Sequence, residues 1–164
     1  MQKFTLSVFI NRSQQDVFDF LSDPANLSKW DADFESAEWT SSDAPSIGSI
    51  YPASGKRLGS QKDGWFEIVQ WNRPDHYSYK VKERMFLFER AETAITLKPE
   101  YNGTEATCEY QFEIAGRLKF TEGLVARMGK KRIEGNLDAA KRLLEAGKRS
   151  VHSVPAGAQT DERR

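Results

Sequence analysis

The two histidines are the first residues to test for chemistry. His76 stands beside a turn and His152 near the C-terminal end, and neither has the His, Cys or carboxylate spacing of a zinc or iron site. No metal and no cofactor is therefore expected, since no Gly-rich phosphate loop follows a strand either. Cys108 has no histidine near it in sequence to activate its thiol, and no Ser, His and Asp set accompanies a nucleophile-elbow motif, so Cys108 reads as a small core residue. What the sequence does hold is a set of polar-tipped side chains at alternating positions: Tyr77, Tyr79 and Tyr110, with Gln70 and Thr93. Phenol, amide and hydroxyl tips set among apolar neighbours can orient an amphipathic organic molecule through a few hydrogen bonds. The alternative use of the same rings is to fill a core, with their hydroxyls turned to backbone or water.

Strands and helices must bring these residues together. Phe4, Leu6, Val8 and Ile10 alternate with Lys3, Thr5, Ser7 and Phe9, the pattern of a strand with one buried face. Ser13 is placed to cap a short helix whose apolar face is Val17, Phe18 and Leu21. Pro24 cannot continue that helix but suits the first turn of another, capped by Asp23, so Ala25 to Trp30 reads as a second short helix at an angle to the first. Six more strands follow, at about 34–40, 48–57, 65–71, 76–84, 88–98 and 104–114, with turns at Asp43 to Gly48, Gly59 to Gly64, Asn72 to Asp75 and Asn102-Gly103. After Gly116 the period becomes helical, and Leu118, Val125, Met128, Ile133, Leu137, Ala140 and Leu144 form a stripe running to about Gly147, roughly 45 Å of helix. Residues 150–164 have no apolar period and read as a disordered tail behind a single domain, 1–149.

If Trp71 opposes His76 across the Asn72 to Asp75 turn, Phe66, Ile68 and Gln70 share a face with Val81, Tyr79 and Tyr77. Glu67 with Lys80 and Trp65 with Lys82 then form the wet face. The same parity turns Thr93 and Tyr110 inward and Arg90 and Glu92 outward, which removes the two charges most central to the sheet from any interior site. Gly123, Gly129 and Gly135 weaken a helix by ~1 kcal/mol each relative to alanine, and suggest close packing or a bend.

Charge narrows the partners. Lys and Arg number 24, as do Asp and Glu, so there is no basic field to draw the chain to nucleic acid, and no nucleic-acid partner is expected. No segment approaches the ~20 apolar residues of a membrane span. With one cysteine and no signal-peptide pattern, a cytoplasmic location is expected. Lys130, Lys131, Arg132, Lys141, Arg142, Lys148 and Arg149 give the long helix a basic face that could meet a protein partner or anionic lipid, although Glu134, Asp138 and Glu145 interrupt it.

The order strand, two short helices, six antiparallel strands and a long helix resembles the helix-grip fold, an α+β architecture in which a seven-stranded curved antiparallel sheet wraps a C-terminal helix. The stretch VFINRSQQDVFDFLSDPANLSKW, Gly48-Ser49, the hairpin WFEIVQWNRPDHYSYKV and Gly103-Thr104 are similar to the START-like (SRPBCC) superfamily, in particular its polyketide cyclase/dehydrase and lipid-transport branch. The resemblance spans about residues 3–147. It implies a cavity between sheet and helix that holds a small hydrophobic ligand, lipid or polyketide-like, with the chain as a non-catalytic carrier or sensor. It also implies that the second short helix and the loop after it flank the cavity mouth, which assigns Trp30, Phe34 and Trp39 to the rim, Trp30 more as a packing anchor than as a ligand contact, and Met128 of the helical stripe to the wall. A polyketide cyclase, aromatase or dehydratase is the alternative it implies, and a protein-interaction module, as in the chaperone-activator and toxin-like relatives, is the third. The iron ligands of the ring-hydroxylase relatives are absent from this sequence.

Overall fold

The computed structural model describes residues 1–57, 60–83 and 88–150. Phe4, Leu6 and Val8 alternate with exposed neighbours along β1 (Gln2–Ile10), which ends on the fully buried Ile10. Ser13 caps α1 (Gln14–Ser22), its Oγ accepting from the Asp16 amide at 3.1 Å, and Val17, Phe18 and Leu21 form the buried face. Asp23 ends α1 and caps a single 3-10 turn, Pro24–Asn26, its Oδ1 accepting from the Ala25 amide at 3.0 Å. Pro24 sits at the start of that turn, where a missing N–H loses nothing. The short α2 (Leu27–Trp30) completes the expected corner, with the 3-10 turn in place of a continuous helix from Ala25.

The remaining strands are β2 (Ser36–Ala37), β3 (Ile50–Arg57), β4 (Ser60–Asn72), β5 (His76–Val81), β6 (Phe88–Glu100) and β7 (Gly103–Ile114). They form one antiparallel seven-stranded sheet in the order β1-β7-β6-β5-β4-β3-β2, a meander that β1 joins beside β7. The expected strand at 34–40 contracts to two residues, and bonds to Asp31 turn the chain before it: the Phe34 amide donates to Asp31 O at 3.2 Å and the Asp33 amide to the side-chain Asp31 Oδ1 at 3.0 Å. The last hairpin turns on Tyr101-Asn102, one residue earlier than expected, with Tyr101 at φ 50. Gly103 then begins β7 where a Cβ would strike the Ile10 carbonyl oxygen, so it is there for close approach. The outer face is wet as expected: Glu67 faces Lys80 with an ion pair at 3.7 Å, and Arg90 is exposed.

A 3-10 segment, Gly116–Thr121, leads into α3 (Glu122–Ser150). Ile133, Leu137, Ala140 and Leu144 are buried against the sheet, whereas two members of the expected stripe, Leu118 and Met128, are exposed. Leu118 belongs to the 3-10 segment and falls out of phase with the helix. Met128 is displaced by its neighbour Gly129, which faces the Phe4 ring and continues the three-and-four spacing through Ile133 and Leu137. A Cβ on Gly129 would meet that ring at 3.7 Å, ordinary contact, and one on Gly123 or Gly135 would meet nothing within 4 Å, so close packing does not explain these glycines. The C-terminal half of α3 is tied to the end of β1: Lys141 Nζ donates to Phe9 O at 2.5 Å, Arg12 to Leu144 O at 2.9 Å, and the Asn11 amide to Glu145 Oε1 at 2.9 Å. Among the described residues no helix is long and apolar enough to cross a membrane. Of the expected tail, 150–164, Ser150 ends α3 and the remainder lies outside the described residues.

Candidate ligand-binding cavity

Cross-strand register builds the floor. Tyr79 of β5 pairs with Thr93 of β6, which pairs with Tyr110 of β7, so three polar-tipped side chains lie in one row across the sheet. The Tyr79 hydroxyl is hydrogen-bonded to Thr93, and burial pushes its pKa above the ordinary phenol value. Beside the row, Ile95 pairs with Cys108 and Phe66 with Val81. Cys108 is buried, and desolvation pushes its thiol up to about 12, so it remains a neutral wall residue. Ile133 and Leu137 of α3 close the space from above, leaving about 80 Å³ free.

The polar end is made by the chain after α2. Its segment Asp31 to Phe34 is clamped from two sides. On one side it presses on β3, where a Cβ on Gly55 would lie on the Asp33 carbonyl oxygen and the Glu35 amide donates to Ser54 O at 2.8 Å. On the other, Arg132 and Asn136, one helical turn apart on α3, grip it: Arg132 Nη1 is ion-paired with Asp33 Oδ2, and the Ala32 amide donates to Asn136 Oδ1 at 3.4 Å. Arg132 and Asp33 side chains are only 23% and 19% exposed, and desolvation lowers the Arg132 pKa, opposed by the nearby Asp31 carboxylate. Trp30, at the end of α2, is 7% exposed; its Nε1 and the Nε of Arg132 are buried without a hydrogen-bond partner. Trp30, Asp31, Asp33, Arg132 and Asn136 all line the cavity.

Of the side chains assigned to the cavity from sequence, Trp30, Phe34, Phe66, Tyr79, Thr93 and Tyr110 line it. Ile68 and Tyr77 are buried in the core outside it; Tyr77 meets Phe18 of α1 edge-on at 5.4 Å. Gln70 faces the other way, exposed, with its Oε1 2.5 Å from His76 Nε2. The cause is a bulge at Val69: Ile68 pairs with Tyr79 but Gln70 with Ser78, so Trp71 opposes Tyr77 rather than His76 and turns inward against Phe18 and Trp39. Trp39 packs edge-on to Tyr51 at 5.4 Å, in the main core. Met128 lies on the outer side of α3 at 54% exposure.

Sequence reasoning missed Asp31, Asp33 and Asn136, and placed Arg132 on the outer basic face. The available signal was Asn136, a polar residue within the buried stripe of Ile133, Leu137 and Ala140, with Arg132 one turn before it. With Arg132 turned inward and Lys141 bound to Phe9 O, that basic face keeps Lys130, Lys131 and Arg142 as exposed cations, while the side chains of Lys148 and Arg149 lie outside the described set. Among the described residues no group of three His, Cys, Asp or Glu side chains is arranged to hold a metal ion.

The sequence model of the family described as polyketide cyclase/dehydrase and lipid transport matches residues 1–145. No curated protein matches the chain in sequence. In structure it is similar to a START superfamily protein from Mycobacterium smegmatis, with TM-score 0.75 and 11% identity over 88% of this chain and 97% of that one. A Thermus thermophilus protein gives TM-score 0.68 and 16% identity over 93% of this chain and 100% of its own. The di-domain ARO/CYC StfQ from the steffimycin biosynthetic pathway gives TM-score 0.73 and 16% identity over 91% of this chain, which spans 51% of StfQ. At these identities the likeness carries the helix-grip fold.

Proposed function

Because the chain belongs to the polyketide cyclase/dehydrase and lipid transport family, we propose that it binds a small, mostly apolar organic molecule between the sheet and α3, as a carrier or sensor rather than as a catalyst. The observation that carries this reading is the two-sided character of the cavity wall. Rings and aliphatic side chains cover the sheet side, and Arg132, Asp33 and Asn136 stand at the other end. Packed apolar side chains would stabilise the domain at least as well as a buried ion pair, so keeping one beside free space favours a recognition role. A non-catalytic role is favoured because the polar side chains here have structural duties: Arg132 holds Asp33, Asn136 holds the Ala32 amide, and Tyr79 is bonded to Thr93.

The free space of about 80 Å³ is below the ~150 Å³ of an engineered cavity that admits benzene and the ~300 Å³ of pockets for drug-sized ligands. A ring-sized ligand therefore enters by displacing a wall group. Native mass spectrometry of protein purified from cells should detect a co-purified organic molecule. Adding back the extracted molecule at 100 times its dissociation constant should raise unfolding free energy by about 2.7 kcal/mol. Protein that carries nothing, and whose stability no cell extract alters, would contradict the binding role.

A further inference from the structure

We infer that the polar end of this cavity recognises a neutral oxygen acceptor, a carbonyl or ether oxygen, through two N–H donors, Trp30 Nε1 and Arg132 Nε; the inference rests on the cavity being a ligand site. Folded proteins pair nearly all buried polar groups, and the exceptions call for an explanation. Here two exceptions belong to residues that line the same cavity, and both are donors. Trp30 is held at the end of α2 at 7% exposure, and Arg132 is fixed through Nη1 to Asp33 while its Nε has no partner. An indole N–H cannot accept and a guanidinium cannot accept, so only an acceptor from a ligand or from water satisfies them.

Charge selects among acceptors. The charged side chains lining the cavity are Arg132, Asp31 and Asp33, one cation and two anions. A carboxylate ligand would add a third negative charge to a wall whose cation is already ion-paired, and in a poorly solvated space that repulsion is weakly screened. A carbonyl oxygen has two lone pairs for two donors and brings no net charge. The rest of the ligand must suit Phe66, Ile95, Ile133 and Leu137 beside the Tyr79, Thr93 and Tyr110 row, so it is mostly hydrocarbon.

Four probes matched in size separate the possibilities: ethylbenzene, acetophenone, benzoate and benzylamine, each titrated into the full chain with the Trp30 indole N–H resonance as one readout. Acetophenone should bind at least about threefold tighter than ethylbenzene despite its stronger hydration, the effect of one modest hydrogen bond, and it alone of the two should shift the indole proton downfield. Trp30→Phe and Arg132→Lys should each reduce that preference, the second while keeping a cation for Asp33. Equal or tighter binding of ethylbenzene, an unmoved indole resonance, or strongest binding by benzoate or benzylamine would overturn the acceptor subsite and leave the cavity reading intact. Failure of all four probes to bind would sink the cavity reading and this inference with it.

Discussion

Replacing Arg132 by methionine keeps the length and helix preference of the side chain and removes only its charge and donors. The Asp33 carboxylate, 19% exposed, then loses its guanidinium beside an apolar wall. Breaking a fully buried pair from one side costs about 3–5 kcal/mol, and the residual exposure of both side chains admits some water, so about 2 kcal/mol is expected here. In a domain of this size that corresponds to a fall in Tm of roughly 4–8 °C. Urea denaturation at pH 7 measures it directly. Adding Asp33→Asn to Arg132→Met should recover part of the loss, because the carboxylate that faced the guanidinium is then gone as well. A single variant within 0.5 kcal/mol of wild type, or a double variant no better than the single, would refute the claim that this pair is a desolvated clamp on the loop.

Three further outcomes follow from the packing and hydrogen bonding of single side chains. Gly135→Ala adds a Cβ that meets nothing within 4 Å in the interior of α3, so stability in urea should rise by about 1 kcal/mol, and no gain would mean the position is not regular exposed helix. Tyr77→Phe removes a buried hydroxyl that has no hydrogen-bond partner, so stability should hold or rise by up to ~1 kcal/mol; a loss above ~1 kcal/mol would reveal a bond to that hydroxyl. The Arg12 hydrogen bond holds Asp16 below the usual carboxylate pKa, so its contribution is present above the unfolded value near 3.9 and is lost as pH falls through the lower folded value. Asp16→Asn should therefore weaken the domain by less than ~1 kcal/mol at pH 7, since Asp16 is 46% exposed, and the difference should be gone by about pH 2.

What could be read from sequence, and what could not, divides along periodicity. Alternation in β5, β6 and β7 was regular enough to put Tyr79, Thr93 and Tyr110 on one face, and the register joins them in one row. The Asp23-Pro24 corner was legible because capping and proline chemistry are local. The bulge at Val69 was not: an extra residue leaves alternation intact on each side while reversing it across, which sent Gln70 out and Trp71 in. The polar end was hidden for a different reason. Asp33 and Arg132 are 99 positions apart in sequence, and charged residues on an amphipathic helix are ordinarily solvated, so only the packed loop reveals that Arg132 turns inward. Asn136, buried between Ile133 and Ala140, was the one local sign of it.

The central claim is that a ligand occupies the space between the sheet and α3. Methyl-resolved NMR during titration with acetophenone tests it most directly. Ile95, Ile133 and Leu137, which line the cavity, should shift together with a single dissociation constant, while Ile10 and Ile68, buried in the core away from it, should stay within a small fraction of those shifts. Shifts centred on Ile10 and Ile68, or spread over the outer face of the sheet with the cavity methyls unmoved, would contradict it.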